Sequence, residues 1–241
     1  MNGLYLISIG LSDEKDMSIR AIERARECDI LYAELYTTKL DTNVEKLSQV
    51  IGKPVIEVKR KDMEEESERI LEEAKTKKVG ILIGGDCLTA TTHTSLLEDA
   101  KRRRIPTKVI HGSSVYTAIC ETGLFIYKFG KTATIPLNGK LENVKETVKM
   151  NKKLGLHTLL LLDLDKEASI FLTVKDALKM LLKGKIIKET DELIAFSKAG
   201  EESKICYDTV KGLTMREISL PAVLIIPGKL HFKEKDFLEV V

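Results

Sequence analysis

The chain has 241 residues, of which 43% are hydrophobic and 32% are charged, and its 39 basic residues nearly balance its 37 acidic ones. This length fits one large domain or two small ones with a buried core. The formal net charge of +2 gives no support for a nucleic-acid-binding protein. The densest basic run, at 101–104, contains no aromatic residue, and we interpret it as the solvated end of a helix.

The cysteines and the N-terminal segment exclude further classes of protein. The four cysteines lie far apart, form no C-x-x-C pair and have no histidine at zinc-ligand spacing. We therefore expect neither a structural metal site nor a disulfide framework. Residues 1–16 lack the basic segment and cleavage site of a signal peptide, and no apolar run approaches the roughly 20 residues of a membrane span. We expect a soluble, cytoplasmic protein.

The first half of the chain alternates short apolar segments with amphipathic ones. Strands are predicted at 4–10, 30–35, 54–59, 79–85 and 107–110, and helices at 17–29, 43–52, 63–78 and from about Thr91. Strands that alternate with helices of this length form parallel sheets. The short aliphatic runs are typical of strands covered on both faces. We predict a parallel α/β domain over 1–111.

The second half has a different pattern. Helices are predicted at 113–123, 142–155 and 173–184, and strands at 131–137, 157–164, 191–200, 203–210 and 222–228. The strands at 191–200 and 203–210 are a candidate hairpin. We predict a second α/β domain over 112–241 with a mixed sheet and antiparallel pairing.

The sequence GILIGGDCLTATTH, residues 80–93, is a candidate binding loop. Ligands of open α/β sheets bind where the strands end, and this apolar strand runs into two glycines, an aspartate and several threonines. Gly84 and Gly85 would let a bulky ligand approach the backbone. Asp86 could pair with a ligand or simply cap the next helix, and the residues alone leave both interpretations open. Neither a Rossmann nor a P-loop fingerprint is present.

No constellation of catalytic residues stands out. The four histidines, His93, His111, His157 and His231, lie in no Ser–His–Asp or Cys–His signature. We interpret His93 and His157 as structural residues, because a lone histidine usually is one. His231 follows a Pro-Gly at a strand end, which leaves its structural and functional interpretations equally open. Cys87 is interpreted as a small turn residue.

Several blocks of the sequence resemble the diphthine synthases, which are S-adenosylmethionine-dependent methyltransferases with the two-domain fold of the tetrapyrrole methylases (class III). The most specific blocks are G-D-x-x-x-A-T-T-H at 85–93 and Y-K-F-G-K-[ST]-A-T at 127–134. The others are LYLISIGLSDEKDMS, YAELYTT, VIHGSSVYTA, GLHTLLLLDL and IIPGKLHF, spread over nearly the whole chain. The resemblance implies an N-terminal α/β domain, a C-terminal mixed α/β domain, a cofactor cleft between them and a homodimer.

The resemblance also implies which positions contact S-adenosyl-L-methionine and its product S-adenosyl-L-homocysteine. These are Leu11, Asp86, Thr89, Ser114, Val115, Leu162, Ala199 and His231. The chain departs from the family at Cys87, where the relatives have proline, so the loop regains a backbone N–H and a free φ.

The function that the resemblance implies is methylation of the amino group on a modified histidine of translation elongation factor 2, which forms diphthine. In such a displacement the cofactor supplies the leaving group, and the protein mainly positions two reactants, so no catalytic triad is required. The base that deprotonates the amine is not identified. The alternatives are a methyltransferase of a tetrapyrrole or another small molecule, and a non-catalytic relative that binds the elongation factor. Direct nucleic-acid or membrane partners are not expected.

Overall fold

A computed structural model of the chain describes residues 2–64, 67–200 and 202–241. Two compact units divide the chain, unit 1 over residues 1–116 and unit 2 over residues 117–241. Within the described ranges, no helix is both long enough and apolar enough to cross a membrane.

Unit 1 alternates strands and helices as the sequence predicts. Its strands are β1 (Gly3–Gly10), β2 (Ile30–Glu34), β3 (Ile56–Val58), β4 (Lys78–Gly84) and β5 (Thr107–Ile110). Its helices are α1 (Ile19–Glu27), α2 (Val44–Ile51), α3 (Arg60–Glu64), α4 (Glu68–Thr76) and α5 (Thr94–Arg102). Helix α6 (Val115–Ala118) spans the division between the units.

The five strands of unit 1 form one parallel sheet in the order β3-β2-β4-β1-β5, which confirms the predicted parallel α/β architecture. Helices α1 and α2 share a buried core with one set of strand side chains, and α4 and α5 share a second core with the other set. The central strands β1, β2 and β4 therefore bury both of their faces, which explains the continuous aliphatic runs in β1 and β4.

Three predicted helices of the N-terminal 123 residues differ from the structure. The single helix predicted at 63–78 is represented by α3 and α4, and residues 65–66 lie outside the described part. Helix α5 begins at Thr94 rather than near Thr91, because Asp86 and Thr91 form turns with the backbone that precedes it. The helix predicted at 113–123 consists of α6 and a 3₁₀ turn that ends at Gly123, whose φ is 76°.

Unit 2 contains a second five-stranded sheet and its helices. Its strands are β6 (Ala133–Ile135), β7 (Thr158–Leu162), β8 (Leu164–Asp165), β9 (Ile170–Phe171), β10 (Glu192–Ser197), β11 (Lys204–Thr209) and β12 (Ala222–Ile226). Its helices are α7 (Glu142–Leu154), α8 (Val174–Lys183), α9 (Val210–Thr214) and α10 (Phe232–Leu238).

The large sheet of unit 2 is mixed, as predicted, with the strand order β11-β10-β12-β7-β6. Only β6 and β7 pair in parallel among its described strands, and β10 and β11 form the antiparallel pair expected of the candidate hairpin. Helices α7, α8 and α9 cover the core on one face. Four short elements, α9, α10 and the two-residue strands β8 and β9, were not predicted, because segments this short carry too little periodicity to detect.

The basic run at 101–104 lies at the exposed end of α5, as predicted. Arg102 is 2.6 Å from Glu98, and Arg103 is 2.8 Å from Glu68. These are partly exposed ion pairs at a helix terminus where cations are favoured.

Candidate functional site

The candidate site lies at the carboxyl edge of the parallel sheet, where β1 and β4 end side by side. After β1 the chain leads to α1 on one face of the sheet, and after β4 it leads to α5 on the other face. A point where neighbouring strands diverge in this way is the usual ligand-binding position of open α/β sheets.

Two glycines join the strand ends at this edge. The N–H of Gly85 donates to the carbonyl of Gly10 at 2.7 Å, and the N–H of Gly10 donates back at 3.2 Å. Gly85 has a φ of 68°, and a Cβ added there would meet no described atom within 4 Å. A Cβ at Gly84 would instead lie 2.3 Å from the Thr38 side chain. The space for a ligand therefore lies beside Gly85, and Gly84 allows close packing.

The Asp86 carboxylate organises this edge. Oδ1 accepts hydrogen bonds from the N–H of Leu88 at 3.0 Å and the hydroxyl of Thr89 at 3.2 Å. Oδ2 accepts from the N–H of Gly112 at 3.2 Å and lies 2.8 Å from Nδ1 of His111. Burial alone would raise the pKa of Asp86, but the hydrogen bonds from Leu88, His111 and Gly112 lower it overall. Both carboxylate oxygens are therefore engaged within unit 1.

His111 is the residue of this site that the sequence analysis did not select. Its side chain is 70% exposed, whereas that of Asp86 is 9% exposed. The two residues are 25 positions apart, but each closely follows a strand, and β4 and β5 both flank β1. Both residues closely follow the ends of strands in one parallel sheet. This shared position could have predicted that they lie close together.

The other predicted residues of unit 1 lie in the loops at the same edge. Leu11 directly follows β1, and its N–H donates to Asp16 at 3.1 Å. The buried Ser114 hydroxyl accepts from the N–H of Tyr116 at 3.2 Å, and Val115 begins α6. The structure thus places four of the five predicted positions of unit 1 in loops that follow β1, β4 and β5, and the fifth, Val115, at the start of α6.

Cys87 is a buried turn residue, as predicted. Its N–H, which proline would lack, donates to the buried hydroxyl of Ser8 at 2.9 Å. Burial raises the pKa of the Cys87 thiol, which disfavours the nucleophilic thiolate form. The departure from the family is therefore accommodated by a specific hydrogen bond.

His93 has the structural environment that was predicted for it. It is 5% exposed, and its Nε2 lies 3.5 Å from the fully buried carboxylate of Glu34. Glu34 ends β2 and accepts the N–H groups of Tyr36 and Thr37 at 2.8 and 2.9 Å. This pair fixes the loop that follows β2.

The three predicted positions of unit 2 do not lie at one edge of its sheet. Leu162 ends β7, and Ala199 follows β10 by two residues. Strand β12 runs antiparallel to both β7 and β10, so the ends of these two strands share an edge. His231 follows the end of β12 and lies near the start of β7, at the opposite edge. The role of each of the three toward a cofactor stays a prediction.

His231 is the N-cap of α10. Its Nδ1 accepts the N–H of Lys233 at 3.2 Å, and its own N–H donates to Glu234 at 2.7 Å, which completes a capping box. The imidazole ring also packs against Phe125 and Phe232, with centroid distances of 5.4 and 4.3 Å. The motif around His231 therefore has a complete structural explanation of its own.

Glu234 is the centre of a second carboxylate–histidine pair, buried in unit 2. The N–H of Gly228 donates to Nδ1 of His157 at 2.8 Å, so Nε2 carries the proton and donates to Glu234 at 3.0 Å. The Lys128 ammonium also pairs with Glu234. Burial alone would raise the pKa of Glu234, but Lys128, two backbone N–H groups and His157 lower it to about 2. Burial lowers the pKa of His157, which was correctly interpreted as structural.

The block Y-K-F-G-K contributes mainly to this same internal organisation. Lys128 pairs with Glu234, and a Cβ added at Gly130 would lie 2.2 Å from Oδ1 of Asn151. The Asn151 amide bonds both the N–H and the carbonyl of Lys131, at 3.0 and 2.8 Å. These residues of the block thus make packing and hydrogen-bond contacts inside unit 2.

Comparison with known proteins places these features in a family. The profile of the Tetrapyrrole (Corrin/Porphyrin) Methylases matches residues 3–213. A diphthine synthase of Methanocaldococcus jannaschii is 38% identical over 98% of this chain and 97% of the relative, and one of Methanosarcina acetivorans is 38% identical over 98% and 94%. A crystal structure of a diphthine synthase superposes with a TM-score of 0.93 at 35% identity, covering 98% of this chain and 94% of that one.

The chain belongs to the diphthine synthases, within the tetrapyrrole methylase family. It is an enzyme, a methyltransferase of the class that uses S-adenosylmethionine as its methyl donor. The two-domain α/β fold that the resemblance implied is confirmed.

Proposed function

We propose that the chain methylates the amino group of a modified histidine in translation elongation factor 2 and so forms diphthine. The observation that carries this proposal is the likeness to diphthine synthases, which extends over 98% of the chain at 38% identity. A fragmentary match would support only the fold, whereas this match includes the loops at the strand ends, where function resides in α/β proteins.

We propose that the methyl donor binds at the carboxyl edge of the unit 1 sheet. The bare backbone of Gly85, with open space where a side chain would stand, fits a bulky ligand that approaches closely. The loops after β1, β4 and β5 would supply the contacts, which we assign to Leu11, Asp86, Thr89, Ser114 and Val115. When bound, S-adenosylmethionine supplies a methyl group activated by a sulfonium.

The Asp86 carboxylate would act on the donor through the shape of its loop. Its four neighbours hold residues 86–89 and 111–112 in one arrangement. Such preorganisation aligns two reactants and excludes water, which is the main requirement of a displacement whose leaving group is already activated.

The experiment that tests the proposed function is incubation with S-adenosylmethionine and partly modified elongation factor 2, followed by mass spectrometry of the factor. We expect the mass of the target peptide to increase by whole methyl groups. A methyltransferase of small molecules would leave the factor unchanged and methylate a tetrapyrrole precursor in a parallel reaction. That outcome would overturn the proposal and favour the alternative.

A further inference from the structure

We propose that His111, oriented by Asp86, is the general base that removes a proton from the substrate amine. The inference rests on the proposed function, because it requires an amine as the methyl acceptor. An aliphatic amine is largely an ammonium ion near neutral pH and has no lone pair with which to attack. A base within reach of the reacting nitrogen is therefore a chemical requirement of the site.

The imidazole of His111 is held in one orientation by Asp86. Nδ1 faces Asp86 at 2.8 Å, and a carboxylate can only accept a hydrogen bond, so Nδ1 carries the ring proton in the neutral histidine. The lone pair of the neutral ring is then on Nε2. The carboxylate itself is fixed, because its other oxygen is held by Leu88 and Thr89. A base held by a third group in this way matches the arrangement of base and orienting carboxylate in hydrolases.

The His111 ring is also exposed. The His111 side chain is 70% exposed, so Nε2 can be reached from outside unit 1. The ring follows β5 at the same sheet edge as Gly85, where the backbone is open. A base must lie within hydrogen-bond reach of the proton it takes, and this edge is where we place the methyl donor.

The other histidines of the chain have different surroundings from His111. His93 and His157 are 5% and 0% exposed, and each is held against a buried carboxylate. His231 accepts a backbone N–H with Nδ1, which leaves the proton of the neutral ring on Nε2. Of the chain's four histidines, all of them in the described ranges, His111 alone combines an orienting carboxylate with an exposed ring.

The proposed step is a proton transfer that precedes the attack. One N–H bond of the substrate ammonium breaks, and its electron pair stays on nitrogen as the lone pair that becomes the nucleophile. The proton passes to Nε2 of His111, and the Asp86 carboxylate stabilises the resulting imidazolium. The proton then leaves Nε2 to water, which restores the neutral ring for another round. No oxidant or reductant takes part.

The first experiment measures methyl-transfer rates of His111→Ala and of Lys108→Ala, an exposed control on β5. We expect His111→Ala to lower kcat by about 100-fold or more, with Lys108→Ala unchanged. Added imidazole should restore part of the rate in a saturable manner, and the affinity for S-adenosylhomocysteine should fall by a much smaller factor than kcat. A rate equal to that of the unmodified chain, or a loss that imidazole does not rescue and that accompanies weaker cofactor binding, would overturn the proposal.

The second experiment needs no activity. Nitrogen NMR of histidine-labelled protein, assigned with His111→Gln, should show the neutral His111 ring with its proton on Nδ1. Asp86→Asn should move that proton to Nε2, because an amide can donate to Nδ1. A proton on Nε2 in the unmodified chain would contradict the proposal. If S-adenosylhomocysteine binds but elongation factor 2 is not methylated, the proposed function fails, and the tautomer still decides whether His111 is poised as a base.

Discussion

The chain contains two carboxylate–histidine pairs with similar distances and opposite surroundings. Asp86 lies 2.8 Å from His111 in unit 1, and Glu234 lies 3.0 Å from His157 in unit 2. The His111 side chain is 70% exposed, whereas both members of the unit 2 pair are fully buried. A carboxylate partner alone therefore does not distinguish a candidate functional histidine from a structural one. The exposure of the second ring nitrogen distinguishes them.

The proton positions reinforce this difference. In unit 2, Gly228 donates to Nδ1 of His157, and Nε2 donates to the carboxylate, so both ring nitrogens are occupied inside the fold. In unit 1, only Nδ1 of His111 faces a described partner. A histidine with both nitrogens engaged fixes structure, and one with an open nitrogen can act on a ligand.

The largest effect on stability is expected from Glu234→Gln. The substitution removes a fully buried carboxylate, leaves the partly buried Lys128 ammonium without its counter-ion, and should lower the free energy of unfolding by about 3 kcal/mol. Asp236→Asn is the matched control, since Asp236 is on the same helix in an exposed pair with Lys233. Calorimetry should show a large loss for the first and a change below about 1 kcal/mol for the second. Equal small losses would mean that the buried pair does not hold unit 2 together.

The same pair predicts a specific acid sensitivity. The pKa of Glu234 is about 2 in the folded protein, below its ordinary value of 4.5. The ionised Glu234 therefore stabilises the fold above pH 4.5. That contribution is lost as the pH falls from 4.5 toward 2. The stability difference between the unmodified chain and Glu234→Gln should therefore narrow over this range. A difference that does not change with pH would contradict the assignment.

A smaller effect is expected at the loop that carries Asp86. Ser8→Ala removes the acceptor of the Cys87 N–H and should cost about 1 to 2 kcal/mol, because it leaves a buried donor unsatisfied. In a Cys87→Pro background that donor is absent, so Ser8→Ala should cost less. A double-mutant cycle by denaturant unfolding measures this coupling. Additive losses would mean that the Ser8 hydrogen bond does not compensate for the missing proline.

Much of the fold follows from local patterns, but the site depends on contacts between distant residues. The alternation of strands and helices predicted the parallel sheet, and the glycines at the end of β4 indicated a candidate binding edge. The Asp86–His111 contact could not be read directly, because it depends on the strand order that places β4 and β5 on either side of β1. The capping role of His231 was missed for a similar reason, since it required recognition of the short helix α10.

The Y-K-F-G-K block illustrates a further limit. Its sequence is specific to a family and invites a functional interpretation, yet Lys128 and Gly130 serve contacts with Glu234 and Asn151. A motif can serve packing as well as chemistry, and the sequence does not distinguish these two roles. The contacts of these residues in the structure distinguish the two roles.

The most direct test of the central claim is isothermal titration of S-adenosylhomocysteine into the unmodified chain, Gly85→Ala and Gly139→Ala. Both glycines have positive φ, 68° and 76°, and a Cβ at either would meet no described atom within 4 Å. Each substitution should therefore cost a similar 1 to 2 kcal/mol or so of stability. We predict binding to the unmodified chain, roughly tenfold or greater weakening by Gly85→Ala, and no change by Gly139→Ala. No binding by the folded chain, or equal affinities for all three proteins, would contradict a donor site beside Gly85.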